Sequence, residues 1–295
     1  MMDYMLGEKS IKQKKYFITY HNSNYYIQSK HLTNLVKQGG HFDKVINFNK
    51  SMLDSNFKEK FNEILKLKKG GGYWIWKINI IEQVMKELNE GDILVYSDAG
   101  STYNNLGSKR LNEYFSILNS SNSGNLRFKL KFIEREWTTQ EIFEYFKIDL
   151  NSEFALSNQM VGGHLLFKKN KNSLKIINEF NNLINFNPKL ITDFYNTNQS
   201  KYFKNNRHDQ SIWSLLSKIY GCEILEDETF FELDSPQQFK YPFLAVRNRL
   251  KRWQKVKFIL NYKNNLSNKL YFEEPKYFYN KPTIYERIKF KLNEK

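Results

Sequence analysis

The segment from Gly70 to Gly100, GGGYWIWKINIIEQVMKELNEGDILVYSDAG, constrains the fold of this chain more than any other. Three glycines open it, followed by an aromatic cluster (Tyr73, Trp74, Trp76) around one cation, Lys77. A helix-like stretch runs from Ile78 to Asn89. A Gly91–Asp92 turn then leads into an apolar run, Ile93 to Tyr96, that reads as a buried strand. The run ends on Ser97-Asp98-Ala99-Gly100, which sets a carboxylate beside two small residues. In open α/β sheets, ligands bind beyond the carboxyl ends of the strands. Ala99 and Gly100 leave room there for a ligand or metal to approach the backbone. Lys77 offers a point charge of the kind a diphosphate needs. The competing role for Asp98 is a turn or helix cap.

Strand-like and helix-like segments alternate around this stretch. Tyr16 to Tyr20 is a first strand, with His21 and Asn22 at its exit. Tyr25 to Lys37 is a helix ended by Gly39-Gly40. Lys44 to Phe48 is a second strand, and Phe57 to Leu67 a helix. Past Gly100, Leu111 to Leu118 fits a helix and Arg127 to Ile133 a strand. Thr138-Thr139-Gln140-Glu141 has the form of a capping box before Ile142 to Phe146. Gln159 to Lys168 carries a strand-like run, VGGHLLF, in which Gly162 and Gly163 suggest close backbone approach. Ser173 to Leu183 is a helix. Asn187 to Asn206 is a long polar loop, of the kind that forms lids and binding loops. Arg207-His208-Asp209-Gln210-Ser211 then opens an apolar helix, Ile212 to Ile219. The alternation predicts an α/β fold: a mostly parallel sheet with helices on both faces. Residues 1–14 read as an N-terminal extension, 15–240 as the catalytic domain and 241–295 as a basic tail.

Three pieces, in this order, carry a family resemblance over roughly residues 15 to 232. Tyr73-Trp74-Ile75-Trp76-Lys77, Leu94-Val95-Tyr96-Ser97-Asp98-Ala99-Gly100 and Arg207-His208-Asp209-Gln210-Ser211 resemble the donor-binding core of GT-A glycosyltransferases, whose fold is Rossmann-like. They are most similar to bacterial and viral sugar transferases with Gly-Gly-x-Trp-x-Trp-Lys and Tyr-x-Asp-Ala-Gly stretches. The resemblance implies transfer of a sugar from a nucleotide-diphosphate donor to a hydroxyl of a glycan or lipid-linked acceptor. It implies donor contacts from Thr19, Tyr20, His21, Tyr73, Trp76, Lys77, Asp98, Ala99, Gly100 and Arg207, with Lys77 on the diphosphate. Asp209 and Gln210 would be the catalytic pair: Asp209 either faces the reacting sugar or deprotonates the acceptor hydroxyl. It also implies Mn²⁺ or Mg²⁺ held by Asp98 and His208, with Asp209 or His164 as further candidates if the fold brings them near Asp98. The chain departs from the family signature at Gly100, where a second acid is usual. For Asp209 the competing role is a helix cap, favoured by the helix dipole.

Charge is distributed unevenly. The chain is 295 residues long with a formal net charge of +15. From Ala245 to Lys295 there are 14 basic and 4 acidic residues, so ten of those fifteen charges lie in the tail. There Arg247, Arg249, Lys251, Arg252, Lys255 and Lys257 alternate with Leu250, Trp253, Val256 and Phe258, a basic amphipathic helix pattern. It suits an anionic membrane surface, and with it a lipid-linked acceptor in surface polysaccharide, capsule or lipopolysaccharide synthesis. The single cysteine, Cys222, excludes an intrachain disulfide framework. No run of about 18 apolar residues occurs, which leads to the expectation of a cytoplasmic protein, peripheral on the inner membrane face. Two rival functions stand. Basic charge with many aromatics is also a nucleic-acid signature, although no nucleic-acid motif is present. Gly100 in place of the usual acid also fits an inactive sugar-binding module.

Overall fold

The structure, a computed structural model, describes residues 12–230 and 240–245. The first half contributes β1 (Lys15–Tyr20), α1 (Tyr26–Gly39), β2 (Lys44–Phe48), α2 (Ser55–Lys60), α3 (Asn62–Leu65), α4 (Gly70–Tyr73), α5 (Trp76–Glu87), β3 (Ile93–Ser97), β4 (Thr102–Tyr103) and α6 (Ser108–Ser120). The second half adds β5 (Asn125–Ile133), α7 (Glu134–Trp137), α8 (Gln140–Tyr145), α9 (Glu153–Leu156), β6 (Asn158–Met160), β7 (His164–Lys168), α10 (Lys171–Phe186), α11 (Asp209–Tyr220), β8 (Glu223–Glu226) and β9 (Phe243–Leu244).

The main sheet runs β2-β1-β3-β7-β5-β6, with β8 paired to β5. β1 is parallel to β2 and β3, and β8 is parallel to β5. β7 lies antiparallel to both β3 and β5. The expected α/β architecture is therefore present. The antiparallel β7 brings its first residues to the carboxyl end of β3, where His164 pairs with Ser97.

Side chains alternate across the sheet with the two-residue period of a strand. On β3, Leu94 and Tyr96 enter one apolar cluster with α5, α10 and α11, while Ile93 and Val95 enter the other with α1 and α6. β1 and β7 split in the same way, Ile18 and Leu165 to the first face, Phe17 and Leu166 to the second. Both faces of the sheet are thus buried, which explains the unbroken apolar run of β3. The connection from β1 goes outward to β2, and the chain then crosses back to β3. The carboxyl ends of β1 and β3 therefore flank a topological switch point, where this class of sheet opens a crevice.

Several sequence expectations are corrected. The helix expected over 57–67 is two short helices that break at Phe61, which buries its ring against Phe57 at 4.7 Å. The capping box at 138–141 does not form: Thr138 donates its hydroxyl to Glu134 at 2.6 Å, and no side chain caps α8. The strand-like run at 159–168 is two strands, interrupted at Gly162-Gly163. β9 falls within the segment assigned to the tail, yet Phe243 packs in the core against Phe17, Tyr103 and Tyr114. The amphipathic helix expected from Arg247 onward lies outside the described residues. Among the described residues, no helix is long and apolar enough to cross a membrane.

Leu94 is fully buried at the centre of the sheet. Leu94→Ala is expected to cost about 2–5 kcal/mol of unfolding free energy, measured by urea titration of both proteins.

Candidate functional site

Asp98 follows β3 at the switch point. The strand period carries Tyr96 and Asp98 to the same side, and the Tyr96 hydroxyl donates to Asp98 Oδ1 at 2.5 Å. The Asp98 amide donates to the carbonyl of Gly163 at 2.8 Å. This explains the second glycine of the pair, since a Cβ on Gly163 would stand 3.0 Å from Asp98 Oδ2. Gly162 is needed for a parallel reason: a Cβ there would meet Gln210 Cβ at 2.6 Å.

Lys77, in the first turn of α5, reaches under this corner and is 2% exposed. Its ammonium lies 2.5 Å from Asp209 Oδ2 and 3.4 Å from Asp98 Oδ1, and donates to the Gly162 carbonyl at 2.9 Å. The Tyr96 ring packs on the same ammonium at 4.7 Å. A lysine has three protons to donate, and three acceptors surround this one. It therefore stands between two carboxylates and a carbonyl, where the sequence suggested a diphosphate as its partner.

The two carboxylates differ. The Asp98 side chain is 42% exposed and the Asp209 side chain only 6%. Burial pushes the Asp209 carboxyl up to about 6, against the opposing pull of Lys77. Burial works against the charge on Lys77 as well, yet Asp209 and Asp98 hold its pKa above the ordinary lysine range. The pair thus offers one exposed acceptor and one shielded group that changes protonation near neutrality, a suitable value for proton transfer.

The glycine-aromatic stretch is strained. Gly70, Gly71, Gly72, Tyr73 and Trp74 all have positive φ, at 59°, 63°, 101°, 50° and 59°. Each non-glycine residue in this conformation costs roughly 1–2 kcal/mol. The turn is held from outside. The Trp76 indole donates to the Gly70 carbonyl at 2.9 Å and stacks on Tyr20 at 3.8 Å. Asp193, from the long loop, accepts from the Tyr73 hydroxyl at 3.1 Å and pairs with Lys69 at 2.8 Å. His208, itself at φ 59°, stacks on Trp74 with ring centroids 5.4 Å apart.

The other expected donor residues are dispersed around this centre. Thr19 is buried inside β1, and Tyr20 with His21 lines a pocket of about 440 Å³ at the exits of β1 and β2. Asn22, Tyr26, Asn49, Lys50 and Gly71 are among the residues that form the rest of its wall. Ala99 is buried beneath Asp98, and Gly100 is partly exposed. Arg207 turns toward the rings of Trp137 and Phe132, 4.2 and 5.4 Å from its guanidinium. His164 is fully buried between the hydroxyls of Ser97 and Ser101, and burial lowers its pKa to about 4.

Asp98 and His208, the pair expected to hold a metal, have different partners. The His208 ring faces the Ile191 carbonyl at 3.0 Å and Asp193 at 3.6 Å. Asp98 Oδ1 is already engaged by Tyr96 and Lys77. Among the described residues, no three His, Cys, Asp or Glu side chains form a cluster suited to an ion. Between Asp98 and Asp209 the Lys77 ammonium takes the place that a bridging cation would need.

Sequence reading found the close approach at Gly162 and Gly163 but missed Tyr96, Gln159, Asp193 and Glu134. Tyr96 had a usable signal, a polar group two residues before Asp98 on one face of a strand. Glu134 and Gln159 had none, because their roles depend on pairing between distant segments.

Gly72→Ala is expected to destabilise the fold by more than about 1 kcal/mol. The added Cβ would stand 2.9 Å from Leu65 Cα at a φ of 101°. Thermal unfolding reads the loss directly.

No protein-family model matches the sequence, and no curated protein matches it significantly. Solved structures with similar folds do exist. One is a glycosyltransferase involved in the glycosylation of the major capsid of PBCV-1 (TM-score 0.40, 10% identity, covering 84% of this chain and 99% of that one). Mouse xyloside xylosyltransferase 1 aligns with TM-score 0.42 and 10% identity, over 75% of this chain and 87% of its own. The galactosyltransferase LgtC aligns with TM-score 0.39 and 10% identity, over 76% and 82%. At these identities and TM-scores the likeness is one of overall shape.

Proposed function

We propose that the chain is a nucleotide-sugar-dependent glycosyltransferase of the GT-A type. The observation that carries this is the Lys77 ammonium clamped between Asp98 and Asp209 at the sheet's switch point. One ammonium between two carboxylates leaves the corner with surplus negative charge. Such a corner suits sugar hydroxyl groups, which donate hydrogen bonds, better than it suits phosphate oxygens. The nucleotide then belongs in the neighbouring pocket, between Tyr20, His21, Tyr26 and Asn49, with Lys50 as the nearest lining cation. The motif resemblance over the three segments supports the same assignment.

Asp98 accepts from hydroxyls of the donor sugar through its exposed oxygen. Asp209 takes the proton of the acceptor hydroxyl. The acceptor oxygen forms the new bond to the anomeric carbon. The bond from that carbon to the phosphate oxygen breaks, and the nucleoside diphosphate leaves with the electron pair. Gln210 holds the Gly162 amide at 3.1 Å and so fixes the floor of the site. The acceptor is a glycan or lipid-linked hydroxyl, brought to the inner membrane face by the basic residues beyond Ala245, as in surface polysaccharide assembly.

The test is calorimetric titration with nucleoside diphosphates and nucleotide sugars, followed by assay of nucleoside diphosphate release. One nucleotide is expected to bind selectively. No binding by a folded sample would overturn the assignment. Asp98→Asn and Asp209→Asn should each lower turnover by about 100-fold or more while the proteins stay folded; wild-type turnover in either would remove that residue from the mechanism.

The pH dependence has a definite sign. Asp209 acts as a base only when ionised, and its pKa is pushed up to about 6 by burial. Turnover should therefore rise with pH through about 6 and level off above it. A flat profile between pH 5 and 7 would contradict the role.

A further inference from the structure

A buried carboxylate outside the Lys77 cluster is linked to it by a series of hydrogen bonds that passes through the backbone of Gly162. Glu134, at the start of α7, has no exposed surface. One of its oxygens accepts from Thr138 at 2.6 Å and from Gln159 Nε2 at 2.9 Å. The other accepts from the Ser214 hydroxyl and from Lys218 at 2.8 Å. Gln159 Oε1 in turn accepts from Gln210 Nε2 at 2.7 Å. Gln210 Oε1 accepts from the Gly162 amide at 3.1 Å, and the Gly162 carbonyl accepts from Lys77 at 2.9 Å.

Every donor in this line points back toward Glu134. That polarity follows from chemistry at one end: an ionised carboxylate can only accept. It forces the Gln159 NH₂ group inward and its oxygen outward. The outward oxygen forces the Gln210 NH₂ group toward it and aims the Gln210 oxygen at the Gly162 amide. Turning either amide over would set oxygen against oxygen at one contact and NH₂ against a donor at the next. Hydrogen-bonded chains of this kind also reinforce one another when buried.

We propose that Glu134 is a positioning residue, which through Gln159 and Gln210 anchors the 161–162 peptide by its N–H and so restrains Gly162, whose carbonyl, in the next peptide, seats Lys77. Lys218, 5% exposed at its side chain, pairs with Glu134 at 2.8 Å. The consequence for turnover rests on the transferase assignment above. The consequence for the two glutamine amides does not.

The experiment uses the full chain and two variants. Glu134→Gln combined with Lys218→Met removes both charges and avoids an unpaired buried cation. Gln159→Leu keeps the charge pair and cuts the line at its middle. Side-chain ¹⁵N–¹H NMR of Gln210 is read first. In the native protein one well-protected amide is expected. In either variant that amide should split into two forms or exchange at least tenfold faster, with the backbone spectrum preserved. Under the transferase assay, Gln159→Leu should lower kcat at least tenfold and leave the donor KM within twofold. An unchanged Gln210 amide in the folded variants would overturn the proposal, as would a native kcat in Gln159→Leu. If the double variant does not fold, Gln159→Leu decides. If the wild type transfers no sugar, the NMR result decides alone, so failure of the transferase assignment stays separable from failure of the relay.

Discussion

A single buried ammonium determines how this domain closes around its site. Taking a charged lysine out of water is costly unless acceptors surround it. Here they arrive from three parts of the chain: the end of β3, the break between β6 and β7, and the first residue of α11. None of these pieces is near another in sequence, and each must stop at the right residue for Lys77 to be satisfied. The two glycines at 162 and 163, the start of α11 at Asp209 and the β3 exit at Asp98 are all conditions of that arrangement. As a source of stability a buried ion pair contributes little net. Its value lies in orientation, because only one packing of the three elements leaves no bare charge.

Much of this was legible in the chain itself, and the reasons are local. β1, β2, β3 and the helices α1, α6 and α10 follow from apolar periodicity and glycine punctuation, which act over a few residues. Lys77, Asp98 and Asp209 stood out because each breaks an apolar pattern at the end of an element. What stayed hidden depends on long-range pairing. No local signal says that the Thr138 hydroxyl serves Glu134 instead of capping α8. None says that β7 enters the sheet antiparallel, or that the long loop brings Asp193 back to Tyr73. The sequence placed Lys77 in a charged site with a diphosphate as its partner; in the structure its neighbours are Asp98, Asp209 and the Gly162 carbonyl. In sequence it is one cation among aromatics, and in space it is fully engaged by carboxylates. The segment beyond Ala245, which holds most of the net charge, lies outside the described residues, so its amphipathic pattern remains a statement about sequence.

The strained turn at Gly70–Trp74 illustrates how backbone cost is met by surrounding contacts. Two bulky residues in the left-handed region would not persist in an isolated peptide. They persist because the Trp76 indole holds Gly70, and Asp193 holds Tyr73 and Lys69 together. His208, strained as well, stacks against Trp74 one residue before Asp209. Strain in the turn and strain before α11 are therefore coupled through ring contact and one carboxylate. The turn fixes where α5 begins, and so where Lys77 stands.

The spacing of the site along the chain also has a bearing on biosynthesis. Lys77 and Gly162 are separated by 85 residues, and Asp209 lies later still. Contacts of such separation form slowly, because loop closure must precede them. A chain emerging from the ribosome makes β1, α1 and β2 long before residue 209 exists. During that interval Lys77 has none of its late partners, and the apolar face of α5 has no α10 to cover it. α10 is made before α11 and covers α5, and Asp209 at the start of α11 is the last of the three Lys77 partners to be synthesised, so the site is completed later than β1, β3 and β7 of the sheet that carries it.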